Sequence, residues 1–160
     1  MTQDKEIYYE ADETFSTGVY KSKSRKYLFI VSYHTLYSEY RYLDADHPND
    51  EFKLFEPRQK DHLYSIEHYK DKFYIRTNWN AKNFKLMETS VNKTAKENWT
   101  DVIPHRDDVL LEGEEIFKDF LVVQERKKGL TQLRVIRWNN REEYDIYFGE
   151  ATATSLTKIG

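Results

Sequence analysis

Read only as hydrophobic and polar positions, the chain resolves into short apolar runs separated by polar punctuation. Three of these runs, YLFI from Tyr27, FYIR from Phe73 and FLVV from Phe120, start 46 and 47 residues apart. Around each, the same order of strands can be traced. The first unit places strands at Thr14 to Tyr20, Tyr27 to Tyr33, Glu39 to Leu43 and Phe52 to Phe55. The second places them at Leu63 to His68, Phe73 to Thr77, Asn83 to Met87 and Trp99 to Ile103. The third places them at Val109 to Glu114, Asp119 to Gln124, Leu133 to Arg137 and Tyr144 to Phe148. The second strand of each unit is a continuous apolar run, the pattern of a strand buried on both faces. Pro57 and Pro104 close the fourth strands of the first two units at matching positions.

A period of about 40–50 residues suits a four-stranded propeller blade, whose faces must be buried against neighbouring blades. The expected fold is therefore all-β: about three four-stranded antiparallel blades of a β-propeller, with partial strands of flanking blades at both ends. The units fall at about 12–56, 61–103 and 108–148. Ile7, Tyr8 and Tyr9 sit where the fourth strand of a preceding unit would lie, and Thr152 to Ile159 where the first strand of a following one would begin. The stubs are thus 5–10 and 151–160. Solenoid and propeller arrays have polar capping units, whereas these ends read as interior pieces. The expectation is a single partial domain, 1–160, taken from a longer chain. A generic β-sandwich, which also spaces strands at 8–12 residues, is the competing reading, and it does not account for the shared strand order.

Composition narrows the function more than the fold. The 160 residues are 39% hydrophobic and 33% charged, with 13 Tyr and 9 Phe that favour strands. A formal net charge of −3 argues against a nucleic-acid partner, which asks for a basic face. The basic runs Lys21 to Lys26 and Arg126 to Lys128 read as solvated turns. With no cysteine, disulfides, thiol nucleophiles and Cys-ligated zinc are excluded together. No apolar run reaches the roughly 18 residues of a membrane span, so no membrane partner is expected. Asn92-Lys93-Thr94 and Asn98-Trp99-Thr100 match the glycosylation sequon by composition alone.

The chemistry-bearing motifs are missing. The five glycines, Gly18, Gly113, Gly129, Gly149 and Gly160, include no pair four apart, so there is no G-x-S-x-G nucleophile elbow. The same spacing excludes a P-loop and a dinucleotide fingerprint. His62 and His68 share strand parity, but without an HExxH pattern no metal is expected. Asp44, Asp46, Asn49 and Asp50 resemble a calcium loop in composition, yet lack the Gly and terminal Glu of that pattern, and read as a hairpin turn. Glu112 and Glu114 share a strand face and supply local negative charge. The sequence assigns no catalytic residue and no cofactor.

Four stretches carry a resemblance to a known family. YYEADETF (8–15), KSKSRKYLFI (21–30), PRQKDHLYSIEHYKDKFYIRTNWNAKNF (57–84) and LLEGEEIFKDFLVVQERKKGLTQLRVI (110–136) resemble the oligopeptidase B, or protease II, branch of the prolyl oligopeptidase family. The resemblance runs from about Ile7 to the end, within the later blades of that family's β-propeller. It implies a parent serine oligopeptidase, cytoplasmic or else periplasmic, that cleaves short peptides after Lys or Arg. The propeller would be a non-catalytic lid selecting substrates by size, and its partner the α/β-hydrolase catalytic domain of the same parent chain. The Ser, Asp and His triad belongs to that other domain, so this segment is expected to be inactive alone.

In propellers of this kind the first strand of each blade lines the central channel. By that analogy Glu67, Glu112 and Glu114 face inward and steer short basic peptides; the competing reading has them facing solvent and pairing with Lys118 or Arg126. Open blade faces also predict a homo-oligomer of the isolated segment, because several hundred Å² of exposed apolar area would otherwise stay wet. The alternative function is an autonomous β-rich binding module with an aromatic ligand surface.

Overall fold

The computed structural model describes residues 8–147. Twelve strands form three four-stranded antiparallel sheets, each a simple meander in chain order. The first contains β1 (Ser16–Lys21), β2 (Tyr27–Tyr33), β3 (Ser38–Asp44) and β4 (Lys53–Glu56). The second contains β5 (Tyr64–Tyr69), β6 (Lys72–Thr77), β7 (Lys85–Ser90) and β8 (Thr100–Ile103). The third contains β9 (Leu110–Ile116), β10 (Phe120–Lys127), β11 (Leu130–Arg137) and β12 (Glu143–Tyr147). A short 3₁₀ turn, Lys96–Asn98, precedes β8 and is the sole helical element among the described residues. The fold is all-β, with the three sheets the periodicity predicts.

The second strand of each sheet lies between two hydrogen-bonded neighbours and buries consecutive side chains on both faces, which is why it reads as continuously apolar. Phe29, Phe73, Ile75, Leu121 and Val123 are wholly buried there. Two layers of core follow from the stacking of three sheets. Between the first and second lie Phe29, Tyr40, Phe55, Tyr64, Ile66, Phe73 and Trp99. Between the second and third lie Leu86, Ile103, Leu111, Ile116, Leu121, Val123 and Ile136, with Tyr74 at the margin. On the far side of the third sheet, Val122, Leu133 and Val135 pack with Phe117, Phe120 and Ile146.

Three local expectations shift. Asn83 and Phe84 lie in a turn, so β7 starts at Lys85. Phe84 has φ 66°, and its amide donates to the Ala81 carbonyl at 2.9 Å, which ends the extended backbone before the strand begins. The Arg126 to Lys128 run is only partly a turn. Arg126 and Lys127 pair with Thr131 and Leu130, and the hairpin closes through Lys128 (φ 51°) and Gly129 (φ 76°). Two successive left-handed residues match the twist of the flanking strands, and glycine is the natural second residue there. Near the N-terminus, residues 8–10 are not a strand. Tyr8 instead lies against the first sheet, its hydroxyl 3.2 Å from Ser32 Oγ and the Arg41 guanidinium 4.2 Å over its ring. Phe148 and the expected stub at 151–160 lie outside the described residues. Among the described residues no helix is long and apolar enough to cross a membrane.

Candidate functional site

The leading strands β1, β5 and β9 converge at one edge of the stack, and the candidate site is built there. Tyr20 on β1 donates its hydroxyl to the Ile66 carbonyl on β5 at 3.0 Å. On β6, Arg76 donates Nε to the Leu111 carbonyl on β9 at 2.8 Å. These two bonds set the spacing of the leading strands, because each ties one sheet's side chain to the next sheet's backbone.

Strand alternation then decides where the carboxylates point. On β5, Tyr64, Ile66 and His68 are buried toward the first sheet, which leaves Glu67 on the opposite side, toward the third. On β9 the ladder shifts between Gln124 and Glu125, so that Leu111 and Glu112 both stand opposite Glu125. Such a bulge inserts one extra residue and re-aims its neighbours. Leu111 and Ile116 face the second sheet, and Glu114, two positions before Ile116, shares that side.

The three sequence-selected acids therefore share an edge but not an environment. Glu67 Oε1 accepts two backbone amides, Lys23 N at 2.8 Å and His68 N at 2.9 Å. Burial raises its pKa, and those two bonds oppose the rise. Burial pushes the Glu114 carboxyl up to about 7, against the pull of Arg76 and with the help of Glu67 and Glu115. The reciprocal cost falls on Arg76, whose pKa burial lowers while Glu114 and Glu112 support its charge. Glu112 meets Arg126, Nη2 to Oε2 at 3.3 Å, and its Oε1 is buried without a hydrogen-bond partner among the described residues. The pairing with Arg126 that competes with an inward-facing role thus exists for Glu112. Glu67 and Glu114 make no ion pair with Lys118 or Arg126 among the described residues. Four carboxyls, Glu67, Glu112, Glu114 and Glu115, thus share this edge with the cations Lys23, Arg76 and Arg126.

Sequence reasoning missed three polar groups, the first of which borders this site. The first is the turn at 21–26, read as solvated. Ser22 is buried, Ser24 Oγ lies 2.7 Å from His68 Nδ1, and Lys23 reaches Glu115 on the third sheet at 2.9 Å. One hairpin turn therefore touches all three sheets. Its spacing of hydroxyls among cations was the available signal, but nothing local says which acids answer it. The second is Glu125, which is wholly buried between Arg106 and Arg134, with Arg134 Nη2 at 3.0 Å. Parity with Leu121 and Val123 placed it on the inward face. The third is the N-terminal cluster in which Arg58 joins Glu10 and Glu39, while Arg41 reaches Glu39 at 2.8 Å. The Arg58 hydrogen bond holds the Glu10 carboxyl well down, at about 2.

His62 and His68 hold structure. His62 precedes β5, bonds Thr77 Oγ1 through Nε2 at 2.8 Å, and is held down to about 4 by burial and then by Lys96. His68 sits on β5 against Ser24, its pKa lowered by burial. In the 44–50 loop, Asp44 accepts the Asp46 amide at 2.9 Å, the bond of a turn that caps itself.

Comparison with known proteins matches this geometry to one group. Residues 1–158 match the family model described as prolyl oligopeptidase, N-terminal beta-propeller domain. Dipeptidyl aminopeptidase BI of Pseudoxanthomonas mexicana is 38% identical over 144 residues, which is 89% of this chain and 20% of that protein. Protease 2 of Moraxella lacunata is 32% identical over 136 residues, 85% of this chain and 19% of that protein. Oligopeptidase B of Trypanosoma brucei, solved in a closed form with covalently bound antipain, superposes with a TM-score of 0.77 at 28% identity. That superposition covers 89% of this chain and 21% of the other. The chain spans about a fifth of the length of the relatives it matches.

Proposed function

Since this chain belongs to the prolyl oligopeptidase family, as part of its N-terminal β-propeller domain, we propose that it is the non-catalytic gating segment of a serine oligopeptidase that cleaves short peptides after Lys or Arg. The observation that carries this reading is the convergence of β1, β5 and β9 on Glu67, Glu112 and Glu114 at one edge of the stack. Acid on a narrow, protein-walled passage focuses its field and concentrates cationic peptides there. Rigid sheets around such a passage admit an extended chain and refuse a folded one. The bond-breaking groups would sit on an α/β-hydrolase domain of the same parent chain. The described segment would therefore change how fast substrate arrives, and leave the chemical step alone.

The aromatic side chains do not favour the binding-module alternative, because most of them pack in or against the three core clusters. The test is to substitute Glu67→Gln, Glu112→Gln and Glu114→Gln together in the full-length parent enzyme. The expected result is a fall in kcat/KM for Lys/Arg peptides at low salt, with a weaker salt dependence and little change in kcat. An unchanged kcat/KM with an unchanged salt slope overturns the reading.

A further inference from the structure

The Lys23 side chain makes two contacts that together describe a ligand site. Its ammonium lies 2.9 Å from Glu115 Oε2 and 3.8 Å over the centre of the Phe117 ring. A carboxylate beside an aromatic face is a receptor for an alkyl cation, since the one supplies charge and the other the negative face of its quadrupole. Phe117 is held ready for this. Its ring packs against Phe120 at 5.0 Å, and its carbonyl accepts the Trp138 indole N–H at 3.0 Å. The receptor therefore belongs wholly to the third sheet, whereas its occupant arrives from the first.

The occupant is not needed to hold its own turn in place. The Lys23 backbone amide is bonded to Glu67, Ser24 to His68, and the Tyr27 amide to Ser22 Oγ at 3.1 Å. Those bonds fix the 21–26 turn on the second sheet whether or not the ammonium is seated. The seat is also open, with the Lys23 side chain 37% and the Glu115 side chain 65% exposed. An exposed ion pair and an exposed cation–π contact are each worth about 1 kcal/mol or less. An external cation of the same kind can displace it at that small cost.

We infer that Glu115 and Phe117 form a binding site for the Lys or Arg side chain of a passing peptide, and that Lys23 is a tethered occupant which such a side chain replaces. This rests on reading the segment as a passage for basic peptides, and it gives that passage a discrete stopping point. It also explains why a lysine reaches across all three sheets to a place where it contributes so little stability.

The test uses the 160-residue chain and a minimal probe, Nα-acetyl-lysine N-methylamide, with the norleucine analogue as its uncharged control. Binding is followed by NMR shifts of the probe's own side-chain signals on titration with the protein. Lys23→Ala vacates the seat and is expected to tighten lysine binding roughly threefold to tenfold, with no change for norleucine. Adding Glu115→Gln is expected to erase that gain, and adding Phe117→Leu to reduce it. An unchanged His68 imidazole signal reports that the turn has stayed in place; Lys23→Gln serves as a second vacating variant. Equal or weaker lysine binding in both Lys23 variants overturns the inference, as does a gain that survives Glu115→Gln. Because the readout is binding to this chain, it stands apart from the low-salt kinetics that test gating in the parent enzyme.

Discussion

The layer between the first and second sheets is built mainly of rings, and the layer between the second and third mainly of aliphatic chains. In the ring layer Phe73 alone meets Tyr27, Phe29, Tyr42, Phe55 and His68 with centroids at 5.0–6.3 Å. Its phenols also bond backbone. Tyr64 donates its hydroxyl to the Glu56 carbonyl at 2.7 Å and accepts the Tyr40 amide at 2.8 Å. Ser38 donates to the Tyr64 carbonyl at 2.7 Å and accepts its amide at 2.9 Å. The aliphatic layer holds its sheets by close packing, with Arg76 and the buried Glu125, flanked by the half-buried Arg106 and Arg134, as its polar anchors. Rings with polar tips fix direction as well as distance, whereas branched aliphatic chains fix distance only. The lesson is that two joints of one repeat reach the same geometry by different means. The first spreads its specificity over many moderate bonds, and the second concentrates it in one buried charge group.

That contrast predicts how each joint fails. Phe73→Ala should be the most damaging substitution, at about 4–5 kcal/mol in urea unfolding, because the cavity opens among five rings at once. Leu121→Ala in the other layer should cost less, about 3 kcal/mol, since aliphatic neighbours relax more easily. Near-equal losses would remove the distinction between the layers.

The charge group gives the next largest effect. Glu125→Gln should destabilise by about 3 kcal/mol, because it leaves two arginines without their shared carboxylate. Replacing Glu125, Arg106 and Arg134 together by Met and Leu should restore much of that loss. A triple variant as unstable as the single one would show that the group is more than a register device.

Between about pH 4 and 7 the two joints should respond to pH with opposite sign. His62, in the ring layer, has its pKa lowered to about 4, so the native state binds fewer protons than the unfolded chain. Its stabilisation is intact above pH 6.5 and falls away as pH drops toward 4. Glu114, at the edge of the aliphatic layer, is raised to about 7, so the sign reverses: its contribution is present below pH 4.5 and is lost as pH rises through 7. Each slope integrates to at most about 3 kcal/mol. Because the two windows overlap and oppose one another, His62→Gln should make stability fall more steeply as pH rises from 4 to 7, and Glu114→Gln should make it rise more steeply. The smallest effect is expected of Tyr20→Phe, about 1 kcal/mol for the bond to Ile66. Thermal melts resolve it if the phenol is an orienting contact, and show no change if packing alone holds β1.

How much of this the sequence disclosed depends on how local the cause is. β2 occupies Tyr27–Tyr33, the span its unbroken apolar run predicts, because burial on both faces writes itself into every position. The start of β7 was misplaced, since the left-handed Phe84 breaks a strand with a residue that favours strands. At the site, Glu67, Glu112 and Glu114 were visible as acids on leading strands. Their separate fates were not, because they depend on the Lys23 amide, Arg126 and Arg76 arriving from elsewhere. Glu125 drew no attention in the sequence, since the run QERKK surrounds it with polar residues and only its parity with Val123 points inward. Long-range partners leave no mark on the local pattern of either residue.

Among the described residues, each strand pairs only with its neighbours in its own sheet. Every backbone ladder thus closes within one repeat of the chain, and loops to be closed before a ladder forms are short. Contact order stays low for a β protein, which favours rapid formation of each sheet. During synthesis a sheet can assemble as soon as its own residues have emerged, and wait for its neighbour. The ring and aliphatic layers would then be the late, docking steps of folding, and a slow phase should track Phe73 and Leu121 before it tracks any hairpin turn.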